Sequence, residues 1–109
     1  MKTKALFPLT LILFTLLMGS CTKTVDPVWM VYQEENCRPP WVAKTDNKTR
    51  KNLEALLKGD GIIPLKIKIK GDRDNNCQDC FCLTGKSYHV QVDESQMGYM
   101  FYYGFSVEN

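Results

Sequence analysis

Apolar and polar residues alternate without a break through Leu65-Lys-Ile-Lys-Ile-Lys70, and a period of two is the mark of a strand with one buried face. Leu65, Ile67 and Ile69 are expected to face a core, and Lys66, Lys68 and Lys70 water. A lysine row introduced by Pro64 also suits a sheet edge, because like charges and a missing N–H discourage pairing with another chain. Residues 86–92 repeat the alternation, with Tyr88, Val90 and Val92 on one face and Ser87, His89 and Gln91 on the other. Val28-Trp-Met-Val-Tyr-Gln33 is dense in branched and aromatic residues and predicts a third strand, first in chain order.

Two segments switch to helical spacing. Leu53, Leu56 and Leu57 share one face, Thr45 or Asp46 can accept from the first free amides, and Gly59 stands where a left-handed cap is wanted. Lys48, Arg50, Lys51, Glu54 and Lys58 make a solvated opposite face. Asp93 opens the second helix, with Gln96 completing a variant capping box; Met97, Met100 and Phe101 form its inward stripe, and Gly104-Phe105 closes it. Tyr99, Tyr102 and Tyr103 fall largely off that stripe and are expected to flank a small core, although exposed tyrosines favour interfaces. Residues 34–45, with Cys37, Pro39-Pro40 and Trp41, predict an ordered loop, since consecutive prolines forbid regular pairing. Residues 71–85 form a second loop, rich in Asp, Asn and Cys.

The element order, strand-helix-strand-strand-helix, predicts an α+β domain, a two-layer α/β sandwich. The first two strands are expected to run parallel through a right-handed crossover, with the third an antiparallel neighbour of the first. The loop holding Cys37 and the hairpin holding Cys77, Cys80 and Cys82 then lie at one end of the sheet. This arrangement resembles a ferredoxin-like fold lacking the last strand. Some metal-handling domains of that fold carry a Cys-x2-Cys pair at this end, but after the first strand, so the likeness is one of architecture.

The first twenty residues stand apart. Lys2 and Lys4 precede an apolar run from Leu6 to Leu17, and Gly19-Ser20 leads into Cys21: a secretory signal, too short for a spanning helix of about 20 residues. Leu17-Met18-Gly19-Ser20-Cys21 resembles the lipobox of bacterial lipoproteins, with Met18 where leucine is usual. The resemblance implies cleavage before Cys21, diacylglycerol on its thiol and acylation, as with palmitate, of its new amino group, which is more than the two signals stable anchoring requires. It also accounts for the odd member among five cysteines. Residues 1–20 are thus expected to be a signal peptide, 21–27 a lipidated tether and 28–109 one small domain. Thr22-Lys23 lacks the aspartate that resembles an inner-membrane retention signal, which points to the outer membrane, facing the periplasm. From Trp41 to Phe105 the chain resembles small uncharacterised cysteine-containing bacterial lipoproteins in which a cysteine-rich loop, Thr84-Gly85 and a terminal Gly-Phe recur.

Charge adds an exclusion. Two of the fourteen basic residues and none of the twelve acidic ones lie in residues 1–20, so the remainder is formally neutral and nothing in its net charge supports nucleic-acid binding. Covalent staples are useful at this size.

Four thiols outside the cytoplasm are most often two disulfides. The third strand begins just after Cys82, at the end where the first delivers Cys37, so Cys37–Cys82 with Cys77–Cys80 is the expected pairing. The alternative is a thiolate site for zinc or Cu(I) made by Cys37, Cys77, Cys80 and Cys82, whose sulfurs suit tetrahedral coordination. A redox Cys77-x-x-Cys80 pair is disfavoured, because Asp79 raises the cost of a thiolate. No Ser/His/Asp set can be placed: His89 reads as a surface histidine and Glu34-Glu35 as a plain acidic pair. Asn47-Lys48-Thr49 fits a glycosylation sequon by coincidence. The expected function is that of a membrane-anchored, disulfide-stapled module, either structural or binding an unidentified protein partner, leaning away from an enzyme; a metal-handling domain is the runner-up.

Overall fold

The computed structural model describes residues 24–109; the expected signal peptide and the expected lipidation site, Cys21, lie outside the described residues. The domain is α+β. Its elements are β1 (Pro27–Glu35), α1 (Asp46–Gly59), β2 (Lys66–Lys70), β3 (Leu83–Asp93), a 3-10 turn (Glu94–Gln96), α2 (Met97–Tyr102) and β4 (Ser106–Val107). The sheet order is β2-β3-β1-β4, and each neighbouring pair is antiparallel. β1 and β2 therefore point the same way with β3 between them. A two-residue fourth strand is added to the three that periodicity predicts. It was invisible to a period-two reading because two residues carry no period.

Parity fixes what each face holds. In register, Met30 lies opposite Val90 and Val28 opposite Val92, while Ile67 and Ile69 lie opposite Val90 and Tyr88. These residues meet Leu53 and Leu57 from α1 and Met100 from α2, with Trp41, Ile62 and Phe105 closing the core. Trp41 packs edge-on against Tyr32 and Tyr88, at centroid distances of 5.1 and 5.9 Å, a geometry aromatic quadrupoles favour. Leu65, expected inside, is half exposed. β2 forms one edge of the sheet, with all three lysines exposed. Replacing Lys66, Lys68 and Lys70 by Ser is expected to cost less than about 1 kcal/mol while promoting self-association. Denaturation and light scattering check this; a large loss of stability would mean that the lysines point inward.

The helix ends differ from expectation in detail. Thr45 Oγ1 accepts from Lys48 N at 3.2 Å, as an N-cap should. Gly59 is the last helical residue, and the left-handed conformation falls at Gly61, φ 82°. Asp93 caps the 3-10 turn, accepting from Ser95 N, and Gln96 turns to the α1–β2 connection. Its side chain accepts from Ile63 N and donates to Gly61 O, both at 2.9 Å, so that it clamps that connection. Phe101 is half exposed, and Met97 and Tyr103 pack against the core beside Met100.

Candidate functional site

The four cysteines meet at the end of the sheet where β1 delivers the chain. The structure pairs Cys37 with Cys80 and Cys77 with Cys82, with Cα separations of 4.8 and 6.0 Å, within the usual disulfide range. This corrects the expected Cys37–Cys82 and Cys77–Cys80. The reason lies in antiparallel pairing continuing past the strand ends. Glu35 is opposite Leu83, Asn36 N then donates to Cys82 O, and Cys37 N donates to Cys80 O, each at 3.0 Å. Moving forward along β1 moves backward along β3, so Cys37 passes Cys82 and stops beside Cys80.

The loop is folded around Asn36. Its side-chain amide donates to the carbonyls of Cys77 and Asp79 at 2.7 and 2.9 Å, and Asn75 Nδ2 donates to Leu83 O at 2.5 Å. A turn closed by Cys82 N donating to Asp79 O at 3.2 Å carries Phe81 at its tip. Phe81, held between two bridged cysteines, is 81% exposed. Behind the loop, Gly71 and Gly85 are both at positive φ in segments that pass so closely that a Cβ on Gly71 would strike Gly85 O and one on Gly85 would strike Asp72 O.

Below the loop sits the group that sequence reasoning passed over. Glu34 is fully buried. Arg73 grips it bidentately, Nε to Oε1 at 2.6 Å and Nη2 to Oε2 at 2.9 Å, Thr84 Oγ1 donates to Oε1 at 2.9 Å, and the Tyr88 hydroxyl donates to Oε2. Burial alone would raise the carboxyl pKa, but the hydrogen bonds from Arg73, Tyr88 and Thr84 outweigh it and hold it at about 2. Burial, then the hydrogen bond to this carboxylate, pushes the Tyr88 hydroxyl well above its ordinary value. Glu34 is thus no plain acidic pair with Glu35. The signal was available: Val28, Met30, Tyr32 and Glu34 share one parity, so a strand that buries the first three also buries the fourth. Arg73 lies in the cysteine hairpin, so this ion pair ties that loop to β1. Arg73, Arg38, Asn36, Asn75 and Thr84 line a small polar cleft of about 180 Å³ beside it.

The opposite sheet face also departs from expectation. His89 does point away from the core, but it is only 8% exposed, so it is not a surface histidine. Ser87 Oγ lies 2.8 Å from its Nε2, and Glu108 Oε2 lies 3.1 Å from its Nδ1. Glu108, from the segment that follows β4, supplies the cover. On the core side, Lys86 is nearly buried and reaches Asp46 at the start of α1 at 2.5 Å. Tyr99 and Tyr102 are exposed, whereas Tyr103 is partly buried.

Of the four cysteines expected as an alternative metal set, Cys77 and Cys82 bring their sulfurs within 4.8 Å of each other and of the Asp79 carboxylate, which was not part of that set; Cys37 and Cys80 are bound to each other instead. A sulfur in a disulfide is no thiolate, so that constellation becomes a ligand set only after reduction. No family model matches the chain, and neither the curated proteins nor the solved structures contain a match to it.

Proposed function

We propose that this chain is an exported lipoprotein, anchored through Cys21, whose disulfide-stapled domain binds a protein partner through the loop around Phe81. The observation that carries the reading is the loop itself. A large aromatic side chain stands 81% exposed on a backbone held by two disulfides, the Asn36 bonds and the Glu34–Arg73 ion pair. Pre-organised aromatics of this kind dominate the energetics of interfaces, because little entropy is lost when they are captured. The tether enters β1 at Pro27, and nine residues of strand at about 3.3 Å each put Glu35, and the loop next to it, roughly 30 Å farther along. An anchor at Cys21 then leaves the loop facing away from the lipid, in an outer membrane into the periplasm. The strand order and the helices packed on one face support a ferredoxin-like arrangement, with β4 as a short last strand.

A photo-crosslinking residue in place of Phe81 tests the partner in the intact exporting cell. Discrete adducts from position 81, and none from exposed Lys51 on α1, are expected; equal yields from both would sink the reading. Cys21→Ser should abolish partitioning into detergent, and unchanged membrane association would count against the anchor independently of the loop.

The convergence of Cys77, Asp79 and Cys82 favours a second reading, a zinc or Cu(I) site formed when the loop is reduced. Metal analysis of protein exported and purified without oxidant separates the two: stoichiometric metal with alkylatable thiols supports the second.

A further inference from the structure

The sheet face away from the helices carries a second, independent feature. The register places Lys70 opposite Ser87, Lys68 opposite His89 and His89 opposite Val31, with Trp29 opposite Gln91. Trp29, Lys68, Lys70, His89 and Glu108 line one hollow of about 100 Å³, room for a group the size of a carboxylate. Lys68 Nζ stands 5.0 Å from the Trp29 ring centroid, within cation–π range, so the aromatic wall and one cation are set against each other. His89 is nearly buried and gripped from behind by Ser87. A carboxylate only accepts, so the proton between His89 Nδ1 and Glu108 belongs to the imidazole, and that N–H points into the hollow.

We propose that this face is a carboxylate-binding pocket built by His89, Lys68, Lys70 and Trp29, in which Glu108 acts as an internal ligand that an incoming carboxylate displaces. The pocket treats a carboxylate as its ligand should be treated: the Glu108 carboxyl pKa is lowered by the His89 hydrogen bond first and by the charges of Lys70 and Lys68 after it. Phe105 is locked in the core, but beyond it the segment that delivers Glu108 is lightly held. β4 pairs with β1 only at Met30 and Val31, both its residues are exposed, and one further bond, Glu108 N donating to Trp29 O at 3.0 Å, follows. Displacement therefore uncovers the pocket and the adjoining edge of β1 together, and an extended acidic peptide has backbone groups there to pair with. The ligand class is a carboxylate, borne by a small molecule or by such a peptide.

His89 is the sole histidine, so its ring signals in proton NMR are assigned without ambiguity and report directly on the pocket. The probes are sodium acetate, with chloride as the control for ionic strength, and a peptide copying residues 104–109. In Glu108→Gln protein with disulfides intact, one or both probes should shift the ring signals, with an apparent Kd roughly tenfold tighter than in the unaltered protein. That ratio is what an internal ligand occupying the site about nine-tenths of the time imposes. Glu108→Ala should behave alike and guards against a defect peculiar to one variant. Adding Lys68→Ser and Lys70→Ser should remove the binding. Response to acetate would show that the carboxylate alone is read; response to the peptide alone would show that it is read on an added strand. No shift with either probe in both Glu108 variants, or binding that survives loss of both lysines, overturns the proposal.

Discussion

Glu34→Gln is expected to destabilise the domain by about 3 kcal/mol, because it leaves Arg73 without a charge partner and disturbs the donors on a fully buried side chain. Arg73 remains partly exposed, 29% by side chain, which keeps the cost at the lower end for a broken buried pair. The loss is a large fraction of a small domain's stability, on the order of 5 to 15 kcal/mol. The same ion pair sets a pH signature. Glu34 has a folded pKa of about 2 against an ordinary 4.5, so its contribution is complete above pH 4.5 and is lost as the pH falls towards 2, where the unfolded chain takes up a proton that the folded one refuses. Denaturant midpoints measured across that window should slope steeply in the unaltered protein and more shallowly in the Gln variant. Equal slopes would show that the carboxylate is not held as described.

The two disulfides are expected to contribute unequally. Cys37–Cys80 closes a loop across 43 residues and Cys77–Cys82 one across 5; on the chain-entropy account these are worth about 4 and about 2 kcal/mol respectively. Replacing Cys37 and Cys80 by Ala should therefore lower the unfolding midpoint much further than replacing Cys77 and Cys82. The smaller pair should act locally, loosening the turn under Phe81 while the sheet persists, which amide hydrogen exchange resolves. A larger global loss from the Cys77/Cys82 pair would mean that the loop, and not the long closure, holds the domain together.

What the sequence made legible is what period and capping encode. The lysine strand, the alternation from Lys86 to Val92 and the Leu53–Leu57 stripe each sit where their spacing puts them, and gathering four cysteines at one sheet end followed from strand directions alone. Pairing within that cluster did not follow, because it depends on how far antiparallel hydrogen bonding runs past Glu35, and a single step decides between Cys82 and Cys80. Glu34 was legible by parity, but acidic residues near a strand end are so often solvated that its partner, 39 residues on at Arg73, had to be seen. The burial of His89 was beyond reach, since it depends on Glu108, which a two-residue strand carries across the sheet. Phe101 and Leu65 show the limit of a stripe: a helix of six residues fully buries only Met100, and Leu65 falls just before the edge strand begins at Lys66.

The central claim, that a doubly bridged loop is built at the end of β1 in a protein we propose to be exported, is tested most directly by non-reducing peptide mapping of the protein isolated from intact cells. The account predicts a Cys37–Cys80 peptide and a Cys77–Cys82 peptide, with Cys21 in neither and carrying lipid mass; a Cys37–Cys82 peptide, or four thiols open to alkylation, would contradict it.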